Sequence, residues 1–198
     1  MTRLLLASQS PTRRRMLEAA GVPFEAVSAP LDEESAKAGL LASGFDARDM
    51  AEMLAELKAK SVDAPADALV IGSDQTLERE DGEILGKPGS RAHARDQLLT
   101  LRGAEHRLHS AATIVRRGER LWSCVETVTL SVRDFSPAFI DDYLDREGDA
   151  VLGSAGAYRV EALGAQLFDG IDGSHFAILG LPLLPLLEEL RLRGVLTS

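Results

Sequence analysis

One cysteine, Cys124, occurs in 198 residues. An intramolecular disulfide is therefore excluded, a reducing cytoplasm is the natural compartment, and Cys124 reads as a small core residue. Long apolar runs are missing too. Nothing approaches the roughly 20 apolar residues of a membrane span, and at the N-terminus Leu4 to Ala7 is shorter than the roughly 7–15 residues of a signal-peptide core. A soluble protein without a membrane partner is expected. Basic residues are outnumbered, 22 against 31 acidic, for a formal net charge of −9. That balance argues against nucleic acid as a partner, which would require a basic face, and makes any basic cluster a local device. Several motifs are absent as well. There is no G-x-G-x-x-G, and in the stretch "GEILGKP" only three residues separate Gly82 from Gly86 while Pro88 follows Lys87, so neither a dinucleotide fingerprint nor a P-loop is present. No nucleophile elbow occurs. His106 and His109 lie three apart in an expected strand and face opposite ways, and His93 and His175 have no ligand-type neighbours at motif spacing.

What is present alternates between strand and helix, with no repeat, low-complexity tract or linker. Arg3 to Ser8 reads as a strand; Ser10 then offers an N-cap, Pro11 a first helical position and Gly21 a stop. Phe24 to Ser28 reads as a strand, "APLDEES" as a loop, and Asp46 to Ser61 as a helix with Met50, Met53, Leu54 and Leu57 at helical spacing. Leu69 to Ile71 is a buried strand that breaks at Gly72 and hands Ser73, Asp74 and Gln75 to a turn. A hairpin on Asp81-Gly82 follows, with the favoured two-residue turn. Arg91 to Leu101 is helical, His106 to Arg116 and Leu121 to Arg133 pair across "RGE", and Ser136-Pro137 opens another helix. Gly164 to Phe168 is short and extended, and Pro182 to Arg193 is the last helix. Strands mixed with helices and hairpins indicate an α/β fold with a mixed sheet.

Three stretches carry charge where chemistry uses it. In "SPTRRR", Arg13, Arg14 and Arg15 sit at the start of a helix, where the dipole disfavours cations by roughly 0.3–1 kcal/mol each. A phosphate docked on the free N–H groups would relieve that strain, with Ser8 adding a hydroxyl. Asp32, Glu33 and Glu34 in "LDEES" are either a solvated run or magnesium ligands, and their spacing does not choose. In the hairpin, a two-residue turn sets Thr76 opposite Lys87 and returns the lysine beside Asp74 and Gln75. An acid at a strand end with an ammonium beside it suits an anionic substrate.

In order, "LLLASQSPTRRRMLEAAGVPFE", "LDE", "LAELKA", "IGSDQ", "DGEILGKP", "SAGAYRVEALGAQLF" and "ILGLPLLPL" resemble the motifs of the Maf-like nucleoside triphosphate pyrophosphatases and span nearly the whole chain. That resemblance implies a single domain over residues 1–198, with an elongated twisted sheet, flanking helices and two lobes around a central cleft. It implies hydrolysis of a nucleoside triphosphate to monophosphate and pyrophosphate with magnesium or manganese, and it suggests a homodimer. Matched position by position, the catalytic acid falls on Asp74 and a catalytic lysine on Lys87. Phosphate-binding groups fall on Ser8, Arg13, Arg14 and Lys87. Glu33 and Lys58 match positions near the phosphates or metal, the metal being assigned to Glu33 and Asp74. Lys58 is marked by the resemblance alone. Ser73-Asp74-Gln75 and Glu161 resemble the branch acting on 7-methyl-GTP, with Gln75 and Glu161 placed to read or support reading of the base, rather than the branch for dTTP and UTP. Thr12 and the "AGAY" run depart from that branch. A non-catalytic nucleotide-binding regulator of septum formation is the alternative from another class; retention of Asp74 and Lys87 speaks against it.

Overall fold

A computed structural model of the chain describes residues 3–197. Its elements run β1 (Leu4–Ala7), α1 (Pro11–Ala19), β2 (Glu25–Val27), α2 (Glu33–Ala42), α3 (Ala47–Ser61), β3 (Leu69–Arg79), β4 (Ile84–Leu85), α4 (Arg91–Leu101), β5 (Glu105–Arg116), β6 (Glu119–Val132), α5 (Pro137–Glu147), β7 (Phe168–Asp172), α6 (His175–Ile178) and α7 (Leu183–Leu192). Seven strands form one mixed sheet in the order β2-β1-β3-β5-β6-β7, with β4 paired to β3. β1 is parallel to β2 and β3, whereas β4 and β7 pair antiparallel. None of the helices among the described residues is long and apolar enough to cross a membrane.

The described chain divides into two compact units, the first comprising 3–75, 109–126 and 174–197 and the second 76–108 and 127–173. In the first, the strand period of two sorts β1 and β3 onto opposite layers. Leu4, Leu6, Leu69 and Ile71 join Met16 and Leu17 of α1 and Leu183, Leu186 and Leu190 of α7. Leu5, Ala7 and Val70 turn the other way, toward Ala59 of α3. Fully burying each such Leu or Ile contributes about 1.5–3 kcal/mol. The second unit holds α4, α5 and a run of 3₁₀ turns, with Tyr158 edge-on to Phe168 at 4.9 Å. Gly156 there has φ +77°, and a Cβ on it would meet Leu77 at 2.7 Å and the Tyr158 ring at 2.6 Å.

Four expectations are corrected. β3 does not break at Gly72 but continues through Ser73, Asp74 and Gln75 to Arg79. Glycine is required there because α3 packs so closely that a Cβ would lie 1.9 Å from the Ala55 carbonyl oxygen. "LDEES" is not a loop: Asp32 caps α2, accepting from the Ser35 amide at 3.1 Å, and Glu33 is its first residue. The Asp81-Gly82 hairpin pairs Glu78 with Ile84 and Leu77 with Leu85, one residue out of the expected register. Its loop has three residues, closed by Arg79 N–H to the Glu83 carbonyl and Gly82 N–H to the Arg79 carbonyl, with only Gly82 at positive φ. The Thr76–Lys87 pairing therefore does not form, since the ladder stops at Leu85. Finally, Leu163–Leu167 is a 3₁₀ helix, and the strand begins at Phe168.

Candidate active site

β1 lies between β2 and β3, so the chain passes from β1 to β2 on one side and then crosses over to β3 on the other. Such a switch point opens a crevice outside the carboxyl ends of the parallel strands, the common location of ligands in open α/β sheets. Ala7 pairs with Gly72 at the end of the parallel ladder. Just beyond that ladder stand Ser8, past the end of β1, and Ser73 and Asp74, within β3, and all three are buried.

Asp74 shares a face of β3 with Gly72 and so meets α3. Lys58, in the last turn of that helix, donates to Asp74 Oδ1 at 2.6 Å and lies 3.1 Å from Glu33 Oε2. Lys58 and Asp74 are nearly sequestered, with side chains 8% and 7% exposed, while Glu33 is 43% exposed and opens the cluster to solvent. Asp74 Oδ2 is buried without a hydrogen-bond partner. An ammonium thus pins one oxygen of the carboxylate and leaves the other unused. Asp32 is spent on its cap; two hydrogen bonds from Ser35, the side-chain one first, hold its carboxyl below the usual range.

The opposite face of β3 is saturated. Ser73 donates its hydroxyl to the Gly180 carbonyl at 3.1 Å. The Gln75 amide nitrogen reaches Ser110 Oγ at 2.8 Å and the carbonyls of Ala177 and Ile178 at 2.9 and 3.1 Å. Arg13 is buried rather than displayed: Nε donates to the Gly180 carbonyl at 2.7 Å and Nη1 to the Ser73 carbonyl at 2.9 Å. Burial lowers its pKa, against the raising charges of Asp74 and Glu33. Arg14 is exposed on the first turn of α1, and Ser8 Oγ accepts from the Ser10 amide at 3.2 Å. Ser8, Arg13, Glu33, Lys58, Asp74 and Gln75 are therefore all in the first unit. Lys87 and Glu161 lie exposed on the second.

Reasoning from residues alone missed Ser110 and the backbone turn at Ala177–Gly180. Neither is charged, and both act through contacts distant in sequence. Lys58 did leave a signal, because it stands at helical spacing from Met50 and Leu54 on the buried face of α3.

As to hard cations, Asp74 and Glu33 present oxygen donors, and Asp74 Oδ2 is an orphaned buried acceptor. Among the described residues no group of three or more His, Cys, Asp or Glu side chains could hold a metal. The described residues thus supply two carboxylates here, a donor set that fits an ion completed by substrate phosphates and water, as magnesium or manganese is.

A mixed α/β sheet with a lysine-pinned carboxylate beyond the β1–β3 ladder defines an α/β protein with a buried ion pair at its candidate site. The chain belongs to the Maf-like protein family, which matches residues 3–193. A nucleoside triphosphate pyrophosphatase of Caulobacter vibrioides is 52% identical over 197 residues, covering 100% of this chain and 98% of that protein. A 7-methyl-GTP pyrophosphatase of Brucella abortus is 47% identical over 190 residues, covering 96% and 95%. Among solved structures, a HAM1 protein from Coxiella burnetii aligns over 68% of this chain and 75% of that one, at 15% identity and a TM-score of 0.45.

Proposed function

We propose that this protein is a hydrolase acting on an acid anhydride, converting a nucleoside triphosphate to the monophosphate and pyrophosphate. Full-length relatives carrying that activity in their names support it. The observation that carries the mechanism is the asymmetric carboxylate, with Oδ1 on Lys58 and Oδ2 partnerless. In this reading Oδ2 takes a proton from a water whose oxygen bonds to the α-phosphorus; the bond to the α–β bridging oxygen breaks, and pyrophosphate leaves with those electrons. Lys58 keeps the carboxylate from rotating. Ser8 and Arg14, at the start of α1, are assigned to the phosphates, and Lys87 to charge on the leaving group. A magnesium or manganese ion held by Glu33, Asp74 and the nucleotide would neutralise phosphate oxygens.

For the base, the preferred substrate is 7-methyl-GTP. Ser73-Asp74-Gln75 and Glu161 match that branch, and relatives so named support it. A carboxylate at Glu161 can accept from N1–H and the exocyclic amine of guanine, donors a pyrimidine does not pair in this way. The test is a panel of canonical and 7-methylated nucleoside triphosphates with magnesium, scored for monophosphate and pyrophosphate. Release of pyrophosphate from none of them sinks the activity. Higher kcat/KM for dTTP or UTP than for 7-methyl-GTP sinks only the base assignment, which Glu161→Gln is expected to weaken or invert.

A further inference from the structure

The arginines of "SPTRRR" invite a phosphate, yet Arg13 is only 9% exposed, and its guanidinium is divided between two backbone carbonyls. One of them belongs to Ser73, the residue before Asp74. A peptide unit is planar, and the plane containing the Ser73 carbonyl also contains the Asp74 Cα. Whatever fixes that oxygen therefore fixes the base of the Asp74 side chain. The need for an anchor is local, because the ladder to β1 ends at Gly72, one residue earlier. The second carbonyl, that of Gly180, also accepts the Ser73 hydroxyl at 3.1 Å. Gly180 has φ +94°, and a Cβ there would stand 3.3 Å from both Nε and Nη2 of Arg13. Glycine thus permits the left-handed backbone and leaves room for the guanidinium. Arg13, Ser73 and Gly180 close a small buried ring of donors and acceptors behind the carboxylate.

We infer that Arg13 is a positioning residue for Asp74, bracing the Ser73 carbonyl against the Gly180 turn, and that substrate phosphates are bound elsewhere. The inference rests on the reading of Asp74 as general base. A phosphate ligand lost by mutation weakens binding, whereas a lost brace leaves binding and misplaces the base; a misplacement of about 1 Å can cost about 100-fold in rate. Lysine cannot replace the brace, since one ammonium lacks the rigid fork that reaches two carbonyls at once.

The experiment compares the full-length protein with Arg13→Ala, Arg13→Lys, Ser73→Ala and Gly180→Ala, measuring kcat and KM for the best nucleotide of the panel and the Kd of inorganic pyrophosphate by calorimetry. Folding is checked by circular dichroism. Both Arg13 variants are expected to lose kcat by about 100-fold, with KM and Kd within about threefold of the parent. Gly180→Ala, which keeps the arginine, should shift kcat the same way, and Ser73→Ala more weakly. If the Arg13 variants do not fold, the Gly180→Ala and Ser73→Ala pair decides by the same criterion. A rise of about tenfold or more in KM or Kd, or an unchanged kcat, overturns the brace. Asp74→Asn measured alongside keeps the two readings apart: if it retains turnover, the base assignment itself has failed.

Discussion

Two buried titratable side chains, one in each unit, are each left with a single unpartnered atom: Asp74 Oδ2 and His106 Nδ1. Their surroundings differ in kind. Asp74 faces an ammonium at 2.6 Å, with a second carboxylate on the same nitrogen and a path to solvent through Glu33. His106 Nε2 meets the Tyr158 hydroxyl at 2.7 Å among aromatic rings, Tyr158 at 5.6 Å and Phe168 at 6.1 Å. Burial alone pushes its pKa down to about 4, and burial likewise drives the Tyr158 hydroxyl upward. In the proposed reading, the orphaned oxygen beside opposite charge and access is the reactive one. His106, with neither, is a core group held neutral by burial.

The sharpest break of that contrast is Asp74→Asn, which keeps the size and removes the proton acceptor. Turnover should fall by about 10²–10⁴ with pyrophosphate Kd little changed, whereas His106→Gln should retain most of the activity. Next, Lys58→Ala strands a buried carboxylate, and losing one partner of a buried pair costs about 3–5 kcal/mol. Urea unfolding should show that loss, and Lys58→Ala,Asp74→Ala together should recover part of it; additive losses would mean that the pair is not coupled.

The His106 side makes a pH prediction. Its folded-state pKa is about 4 against an ordinary value of 6.5, so between those values the unfolded chain binds more protons. Its contribution is fully present above about pH 6.5 and is lost as pH falls toward 4, amounting to about 3 kcal/mol. Urea midpoints at pH 4.5 and 7.5 should differ less in His106→Gln than in the parent. An equal difference would remove His106 from the acid limb. Smallest is Gly72→Ala, where the added methyl forces β3 and α3 apart and overpacking costs about 1–3 kcal/mol. Its Tm should drop, and kcat with it, because Asp74 and Lys58 sit on the two elements being separated.

Helices announced by caps were legible in the sequence: Ser10-Pro11 and Ser136-Pro137 open α1 and α5 as read, and Arg91–Leu101 is α4. α2 was not, because none of its residues is fully buried, so it carries no apolar stripe to read. Asp81-Gly82 fits either of two hairpin loops, and the register turned on whether Asp81 or only Gly82 took positive φ. By contrast, Arg117 and Gly118 both do, giving the two-residue turn between β5 and β6. At the candidate site, Asp74 stood out as a carboxylate after an apolar run. It stands in a strand interior facing a helix, not at a strand end. Arg13's backbone partners lay beyond any local pattern.

That last contact has a consequence for synthesis on the ribosome. Arg13 and the Gly180 carbonyl are 167 positions apart, so the first helix leaves the exit tunnel long before its acceptor has been translated. Until then the buried guanidinium lacks half of its hydrogen bonding, and contacts of such sequence separation are slow to form. Catalytic competence should therefore arise only once the Gly180 turn has been made and has left the tunnel, and chains stalled before residue 180 should be inactive however much of the sheet they have assembled.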